Sequence, residues 1–172
     1  FGNLKRIVCM GGYLEPLRIG WRNLKELNFS ANPQAAYSVL NADCPVTVMN
    51  GHICTQAYLG RQEIEHLTFW PKAFRSMLKR WLITFGLYCG VDVFYLWDLL
   101  PAVYLNHPEL FEPSQFNCSS SIDDLITGML VKAKDPLGKQ IEMPLNIVDS
   151  DKFYRTVTQG WQEAARIYPL SD

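Results

Sequence analysis

Three places in the chain combine residue types and spacing that could do chemistry. Met10-Gly11-Gly12 closes a short apolar run, and in open α/β sheets ligands gather at the carboxyl ends of strands. The glycines equally suit a plain turn. The run lacks the GxGxxG and P-loop patterns, so it does not predict a nucleotide phosphate. Glu26-Leu27-Asn28 sets a carboxylate and a carboxamide at i and i+2, which point the same way on extended backbone. Such a pair suits gripping hydroxyls, for example those of a sugar. It is equally the composition of a solvated loop. Trp97-Asp98 stands after an apolar loop and ahead of a helix. Asp98 reads as a helix N-cap or as a metal-binding carboxylate at a strand end. Trp97 offers an aromatic platform to a flat ligand.

The elements that must position these residues follow one another as strand, helix, strand. Residues 5 to 10 read as a buried strand stopped by Gly11-Gly12. Residues 13 to 31 show no periodicity and read as a long loop. Asn32-Pro33 starts a helix, with asparagine as cap and proline in the first turn. It runs to about Asn41 with Ala36, Val39 and Leu40 inward. Cys44 to Met49 is a second apolar strand. This order predicts an α/β fold, a mainly parallel open sheet with helices on both faces. Pro71 opens a helix to about Tyr88, where Phe74, Met77/Leu78, Trp81/Leu82 and Phe85 recur at helical spacing. Gly90 ends it, and Val91 to Leu96 reads as a loop. The helix from Asp98 tolerates Pro101 in its first turn and ends near His107-Pro108. Residues 113 to 133 read as two strands, the second over Leu125 to Ala133. Lys134 to Lys139 reads as a turn and Leu145 to Val148 as a strand. Asp149 or Ser150 caps a last helix with Phe153, Val157, Trp161 and Ala164/Ala165 on one stripe. No repeat or linker divides the chain, so residues 1–172 read as a single domain.

Composition removes several classes of function. With 172 residues, 48% apolar and 19% charged, the chain can bury a core and is not disordered. Sixteen Lys+Arg against seventeen Asp+Glu leave no basic surplus, so no nucleic-acid partner is expected. His52, His66 and His107 are not paired at i, i+4, and the five cysteines include no CxxC, which argues against a zinc hydrolase. Scattered cysteines predict buried, reduced thiols and a cytoplasmic location. The most apolar stretch, Trp81 to Leu99, carries Asp92 and Asp98 and is split by Gly86 and Gly90; no membrane span or membrane partner is expected. No G-x-S-x-G elbow supports a general α/β hydrolase. The first strand begins almost at the first residue, which predicts that the chain is part of something longer.

Taken together, the motifs resemble the calcium-dependent nucleoside hydrolases. In that family an apolar strand ends in Met-Gly-Gly, followed by a loop, Glu-aromatic-Asn, then Asp/Asn-Pro and a helix. Here the sequence is Ile7-Val8-Cys9-Met10-Gly11-Gly12, then Glu26-Leu27-Asn28-Phe29-Ser30-Ala31-Asn32-Pro33. A Trp-Asp or His-Asp later leads a helix ending in Pro-Glu-Leu-Phe, matched by Trp97-Asp98 and Pro108-Glu109-Leu110-Phe111. Val148-Asp149-Ser150-Asp151-Lys152-Phe153 resembles the family's last strand and helix. The resemblance implies hydrolysis of the N-glycosidic bond of ribonucleosides, with Ca²⁺ as cofactor and a nucleoside as substrate. By the same resemblance Asp98 matches a calcium ligand, Glu26 and Asn28 match residues that bind ribose hydroxyls, and Met10 touches the sugar. Trp97 matches the tryptophan of a purine-preferring subgroup, where other members carry a histidine.

The chain also departs from the family pattern. Leu27 stands where an aromatic residue is usual. Gly20-Trp21-Arg22-Asn23 occupies the region of a Gly-Asn ribose contact, which makes Asn23 a candidate of the same kind. The family's Asp-rich signature, which supplies most calcium carboxylates and the catalytic base, is not in these 172 residues, and Asp123-Asp124 does not replace it. The chain therefore resembles the C-terminal half of a nucleoside hydrolase. The resemblance implies an N-terminal companion segment and a homo-oligomer, and no catalytic base is expected in this chain. The alternative is a truncated or degenerate domain with a binding or structural role.

Overall fold

The computed structural model describes residues 3–134 and 138–168. The first strand is β1 (Ile7–Met10). The small strands β2 (Arg18–Ile19) and β3 (Arg22–Asn23) form a hairpin. Helix α1 (Pro33–Leu40) leads into β4 (Val46–Met49), then come α2 (Gly51–Cys54), β5 (Tyr58–Gly60) and α3 (Arg61–His66). The long α4 (Lys72–Cys89), β6 (Val93–Tyr95) and α5 (Leu99–Asn106) follow, then a 3-10 turn at Pro108–Leu110. The chain ends with β7 (Gln115–Cys118), α6 (Ile122–Ile126), β8 (Lys139–Glu142) and α7 (Ser150–Ile167).

The main sheet is mixed and mainly parallel, in the order β1-β4-β8-β7; β1 and β8 run parallel to β4, and β7 runs antiparallel to β8. All four residues of β4 are buried, as a central strand covered on both faces requires. Val46 and Val48 face Ala36, Leu40 and Leu125, which belong to α1 and α6. Met49 faces Leu100, Val103, Phe153 and Val157, which belong to α5 and α7. Helices therefore cover both faces. β1 divides in the same way: Ile7 and Cys9 pack toward the first cluster, Val8 and Met10 toward the second. Asn32 caps α1 through a 3.0 Å bond from the Ala35 N–H. A third cluster, with Leu59, Ile64, Leu82 and Phe94, joins α3 and α4 to the antiparallel β5–β6 pair.

β1 lies at the end of the sheet order. The N–H groups of Ile7 and Gly11 donate to Pro45 and Met49 carbonyls. By the alternation of a strand, those of Val8 and Met10 point away from β4. Among the described residues, β1 has no second neighbour in the sheet.

Several sequence expectations need correction. The stretch from 13 to 31 contains the β2–β3 hairpin, whose strands are too short to show periodicity. The loop assigned to Val91–Leu96 holds β6. Residues 125–133 are not a strand. Ser121 and Asp124 form a reciprocal capping box that starts α6, and afterwards only Met129 and Lys132 make single bridges. The strand expected at 145–148 is an isolated bridge at Ile147. The sheet strand is instead β8, which the run Lys139-Gln140-Ile141-Glu142 disguises with one apolar residue among polar ones. Positions 135–137 of the expected turn lie outside the described residues, and Lys139 already belongs to β8.

All five cysteines are free, with Cys44, Cys54, Cys89 and Cys118 buried. Cys9 is half-buried and donates weakly to the Thr47 carbonyl at 3.7 Å. Burial pushes its thiol up from 9.0 to about 11. The neutral thiol is the favoured form in the fold, so this contribution to stability is complete below pH 9 and is lost as pH rises through about 11. Urea midpoints should therefore fall more steeply across that window in the unsubstituted chain than in Cys9→Ala. Parallel slopes would refute the assignment.

Candidate functional site

The site lies where β1 and β4 end. Beyond Met10 the chain turns at Gly11-Gly12, and beyond Met49 it turns into α2. Gly11 N–H donates to the Met49 carbonyl (3.1 Å) and Gly51 N–H to the Gly12 carbonyl (2.9 Å), so the two strand ends are stitched together. Asn50 caps α2, its carbonyl oxygen accepting from the N–H groups of His52 and Ile53 at 2.8 and 3.2 Å.

Glu26 organises this end of the sheet. It is only 5% exposed. Its Oε1 accepts from the N–H groups of Gly12 (3.2 Å), Asn28 (2.9 Å) and Phe29 (3.1 Å), and its Oε2 from Ser30 N–H (2.7 Å). The Ser30 hydroxyl returns a hydrogen bond to the Glu26 carbonyl. A buried charge needs this degree of satisfaction. The carboxylate thus ties the loop after it to the glycine turn after β1.

The tie brings Asn28 over the end of β1, where its Nδ2 donates to the Met10 sulfur at 2.8 Å. Met10, Glu26 and Asn28 are therefore neighbours. Leu27 is 74% exposed and points out of this arrangement. Asn23 is exposed on β3, paired with Arg18 across the hairpin, and makes no hydrogen bond to Glu26 or Asn28.

Trp97 and Asp98 arrive from β6. Leu96 N–H donates to the Ala57 carbonyl (2.9 Å), and the Cys54 thiol donates to the Trp97 carbonyl (3.6 Å). Trp97 packs with Met10 around the Leu100–Phe153 cluster. Its ring lies 5.3 Å from that of Tyr95. Asp98 occupies the N-cap position of α5, but its backbone is already helical (φ -82, ψ -7) and its side chain bonds no helix N–H. A capping side chain needs a non-helical backbone at the cap. The Asp98 carboxylate is therefore left for something other than capping. No hydrogen bond joins Asp98 to Glu26 or Asn28.

Sequence reasoning did not single out Tyr13, Asn50, His52 or Cys54, which fill the space between the two halves. The Tyr13 ring meets His52 edge-on at 6.2 Å, and its hydroxyl donates to the Lys25 carbonyl at 3.2 Å. Burial first, then the charges of Glu26 and Cys54, push the Tyr13 hydroxyl up to about 12. Burial, and then Asp98, push the Cys54 thiol up as well. Asn50 was legible in part, as an asparagine between an apolar strand and a glycine. Two buried polar atoms, Asn50 Nδ2 and His52 Nδ1, have no partner among the described residues.

Among the described residues, no group of three or more His, Cys, Asp or Glu side chains could together hold a metal ion. Asp123 and Asp124 lie on α6, where Asp124 bonds the Ser121 hydroxyl and N–H. No helix among the described residues is long and apolar enough to cross a membrane.

The comparisons with known proteins agree on one fold. Residues 1–155 match the family profile described as inosine-uridine preferring nucleoside hydrolase. Among solved structures, a purine-preferring ribonucleoside hydrolase from Gardnerella vaginalis superposes with a TM-score of 0.77 at 21% identity, over 94% of this chain and 53% of that one. A plant nucleoside hydrolase, PpNRh1, gives 0.72 at 17% identity, over 90% and 52%. An inosine-uridine preferring nucleoside hydrolase from Bacillus anthracis gives 0.65 at 18%, over 92% and 51%. The chain thus spans about half the length of these structures. No curated protein matches it in sequence.

Glu26→Gln tests the anchor. A carboxamide has one acceptor oxygen, so its NH₂ must face a backbone N–H in place of one carboxylate oxygen. The expected cost is about 1 to 3 kcal/mol of unfolding free energy, the range for leaving a buried donor unpaired. An unchanged urea midpoint would show that the carboxylate does not hold the loop.

Proposed function

The chain belongs to the inosine-uridine preferring nucleoside hydrolase family, and on that premise we propose that the intact protein hydrolyses the N-glycosidic bond of ribonucleosides, purine nucleosides in preference. The observation that carries this reading is the uncapped Asp98 carboxylate at the start of α5, directly after an aromatic ring at a strand end. Met10 and Asn28, joined at the end of β1, would meet the sugar. Glu26 would hold them in place through its four backbone donors and, with one lone pair of Oε2 left, would meet a sugar hydroxyl too. Trp97 would stack on the base, whose basicity rises as the glycosidic bond breaks. The Gardnerella neighbour, described as purine-preferring, is consistent with that preference. In the intact protein, Trp97→Ala should lower turnover of inosine or guanosine far more than it weakens metal binding. Equal turnover of uridine and inosine by the unsubstituted protein would refute the preference.

Calcium is part of the proposal. When bound, it would orient the ribose hydroxyls and acidify a water. Asp98 is the residue of this chain that would ligate it. Calcium takes six to eight oxygen ligands, and the described residues gather no such set. The donors present among the described residues do not complete a site for the ion by themselves. The 172-residue chain alone should therefore bind calcium poorly in a calorimetric titration and release no base from inosine. A segment carrying the Asp-rich signature, added in cis or co-expressed, should restore both together. Robust hydrolysis by the chain alone would show that another carboxylate, such as Asp92 or Asp123, does the chemistry.

A companion segment belongs to the proposal and would pair at the outer edge of β1, which has no second sheet neighbour among the described residues. A homo-oligomer and a cytoplasmic location belong to the same proposal, the latter supported by five free thiols. The second reading is a truncated or degenerate domain with a binding or structural role and no catalysis. Failure of the added segment to restore hydrolysis, with nucleoside binding retained, would support it.

A further inference from the structure

The carboxyl end of α4 is closed by another part of the chain. A helix leaves its last carbonyls without partners, and α4 has no basic residue in its last turn. The β2–β3 hairpin supplies the missing donors. Trp21 N–H donates to the Cys89 carbonyl at 3.1 Å. Trp21 Nε1 and Arg22 Nε both donate to the Tyr88 carbonyl, at 3.1 and 3.0 Å. The Arg22 guanidinium also sits 4.7 Å from the centre of the Tyr88 ring. The fit depends on two glycines in the left-handed region. A Cβ on Gly20 (φ +54) would lie 1.9 Å from the Cys89 carbonyl oxygen, and one on Gly90 (φ +76) would lie 2.1 Å from the Trp21 ring.

This closure joins the two halves of the candidate site. The hairpin belongs to the segment that continues into Glu26 and Asn28. Helix α4 runs through Gly90 and β6 into Trp97 and Asp98. Behind the closure, Leu17, Ile19 and Cys89 share one buried cluster with Tyr13, against which Trp97 and Tyr95 pack.

We infer that Trp21 and Arg22 are positioning residues: by capping α4 from the hairpin, they fix the spacing between Trp97 and the Met10–Glu26–Asn28 corner, and so set affinity for the nucleoside. This rests on the proposed function. Neither residue touches the reacting atoms. Loosening the closure should weaken binding while leaving the chemical step nearly intact.

Arg22→Ala and Arg22→Lys in the intact protein test it. Arg22 is exposed on the hairpin, so its truncation should leave the fold in place, as thermal unfolding would verify. Arg22→Ala should raise KM for inosine by about five- to tenfold with kcat within about twofold, the size of one lost hydrogen bond to a helix carbonyl. Amide exchange at Gly90 and Leu96 should quicken by a similar factor, about five- to tenfold, through local opening. Arg22→Lys keeps a cation and a donor and should recover most of both effects. Unchanged exchange at Gly90 and Leu96 in Arg22→Ala overturns the closure. Faster exchange with unchanged KM overturns its role in positioning. Absence of turnover in the unsubstituted protein would count against the proposed function instead; the dissociation constant for inosine would then replace KM in the same comparison, with the same expected and overturning results.

Discussion

One buried carboxylate shapes the end of the sheet where the candidate site lies. Glu26 accepts four backbone N–H groups from two separate turns. Desolvating a charge is costly unless it is filled in this way. The same bonds oblige the backbone from Asn28 to Ser30 to curl around the carboxylate, and they hold the turn after β1 against it. A loop without hydrophobic periodicity thereby acquires one conformation. Asn28 and Met10 meet because of that conformation, not because either attracts the other strongly. The hydrogen bond from an amide to a thioether sulfur is weak, and the position of Asn28 follows from the charge beside it.

The opposite half of the site is held by apolar packing and by single, directional contacts. α5 covers β1 and β4 on the face away from α1, and Arg6 lies 5.7 Å over the Tyr104 ring at its far side. The Trp97 carbonyl takes the Cys54 thiol, and Leu96 is pinned to Ala57. Cys54 is fully buried, so burial keeps its thiol protonated and able to donate. The two halves thus differ in kind: one is an ionic knot, the other a packed wall. Tyr13 stands between them, its ring edge-on to His52 and its hydroxyl bonded to the Lys25 carbonyl.

The long-period features of this fold were legible in the sequence. The Asn32-Pro33 start of α1, the apolar run of β4 and the stripe Phe153-Val157-Trp161 of α7 each carry several residues pointing to one answer. What escaped was short or masked by polarity. β8 has one buried apolar side chain, Ile141, in four residues. It is a strand because β4 and β7 flank it, and a single sequence does not show its neighbours. α6 escaped because five residues hold too little periodicity. Its signal was the Ser121–Asp124 spacing of a capping box. Of the candidate residues, Met10, Glu26 and Asn28 stand together as their motif order suggests. The intermediaries Tyr13 and Cys54 carry no motif, since their place depends on contacts between segments far apart in sequence.

Three aspartates at or near helix starts show where sequence reading meets its physical limit. Asp149 caps α7 from an extended backbone (φ -143, ψ 101), with Lys152 N–H donating to its carboxylate at 2.9 Å. Asp124 sits three residues into the first turn of α6 and bonds back to Ser121. Asp98 precedes α5 with the same apparent grammar but does neither. The difference lies in one pair of torsions. The turn that donates Leu99 N–H to the Leu96 carbonyl includes Asp98, whose backbone is in the helical region. A side chain leaving a helical backbone points away from the helix's own free N–H groups. That early winding is set by where β6 ends and by the contacts that hold Leu96 and Trp97. The carboxylate is left unbonded by helix N–H groups because of packing several residues upstream, which is why aspartate before a helix reads equally as a cap and as a ligand until the backbone is known.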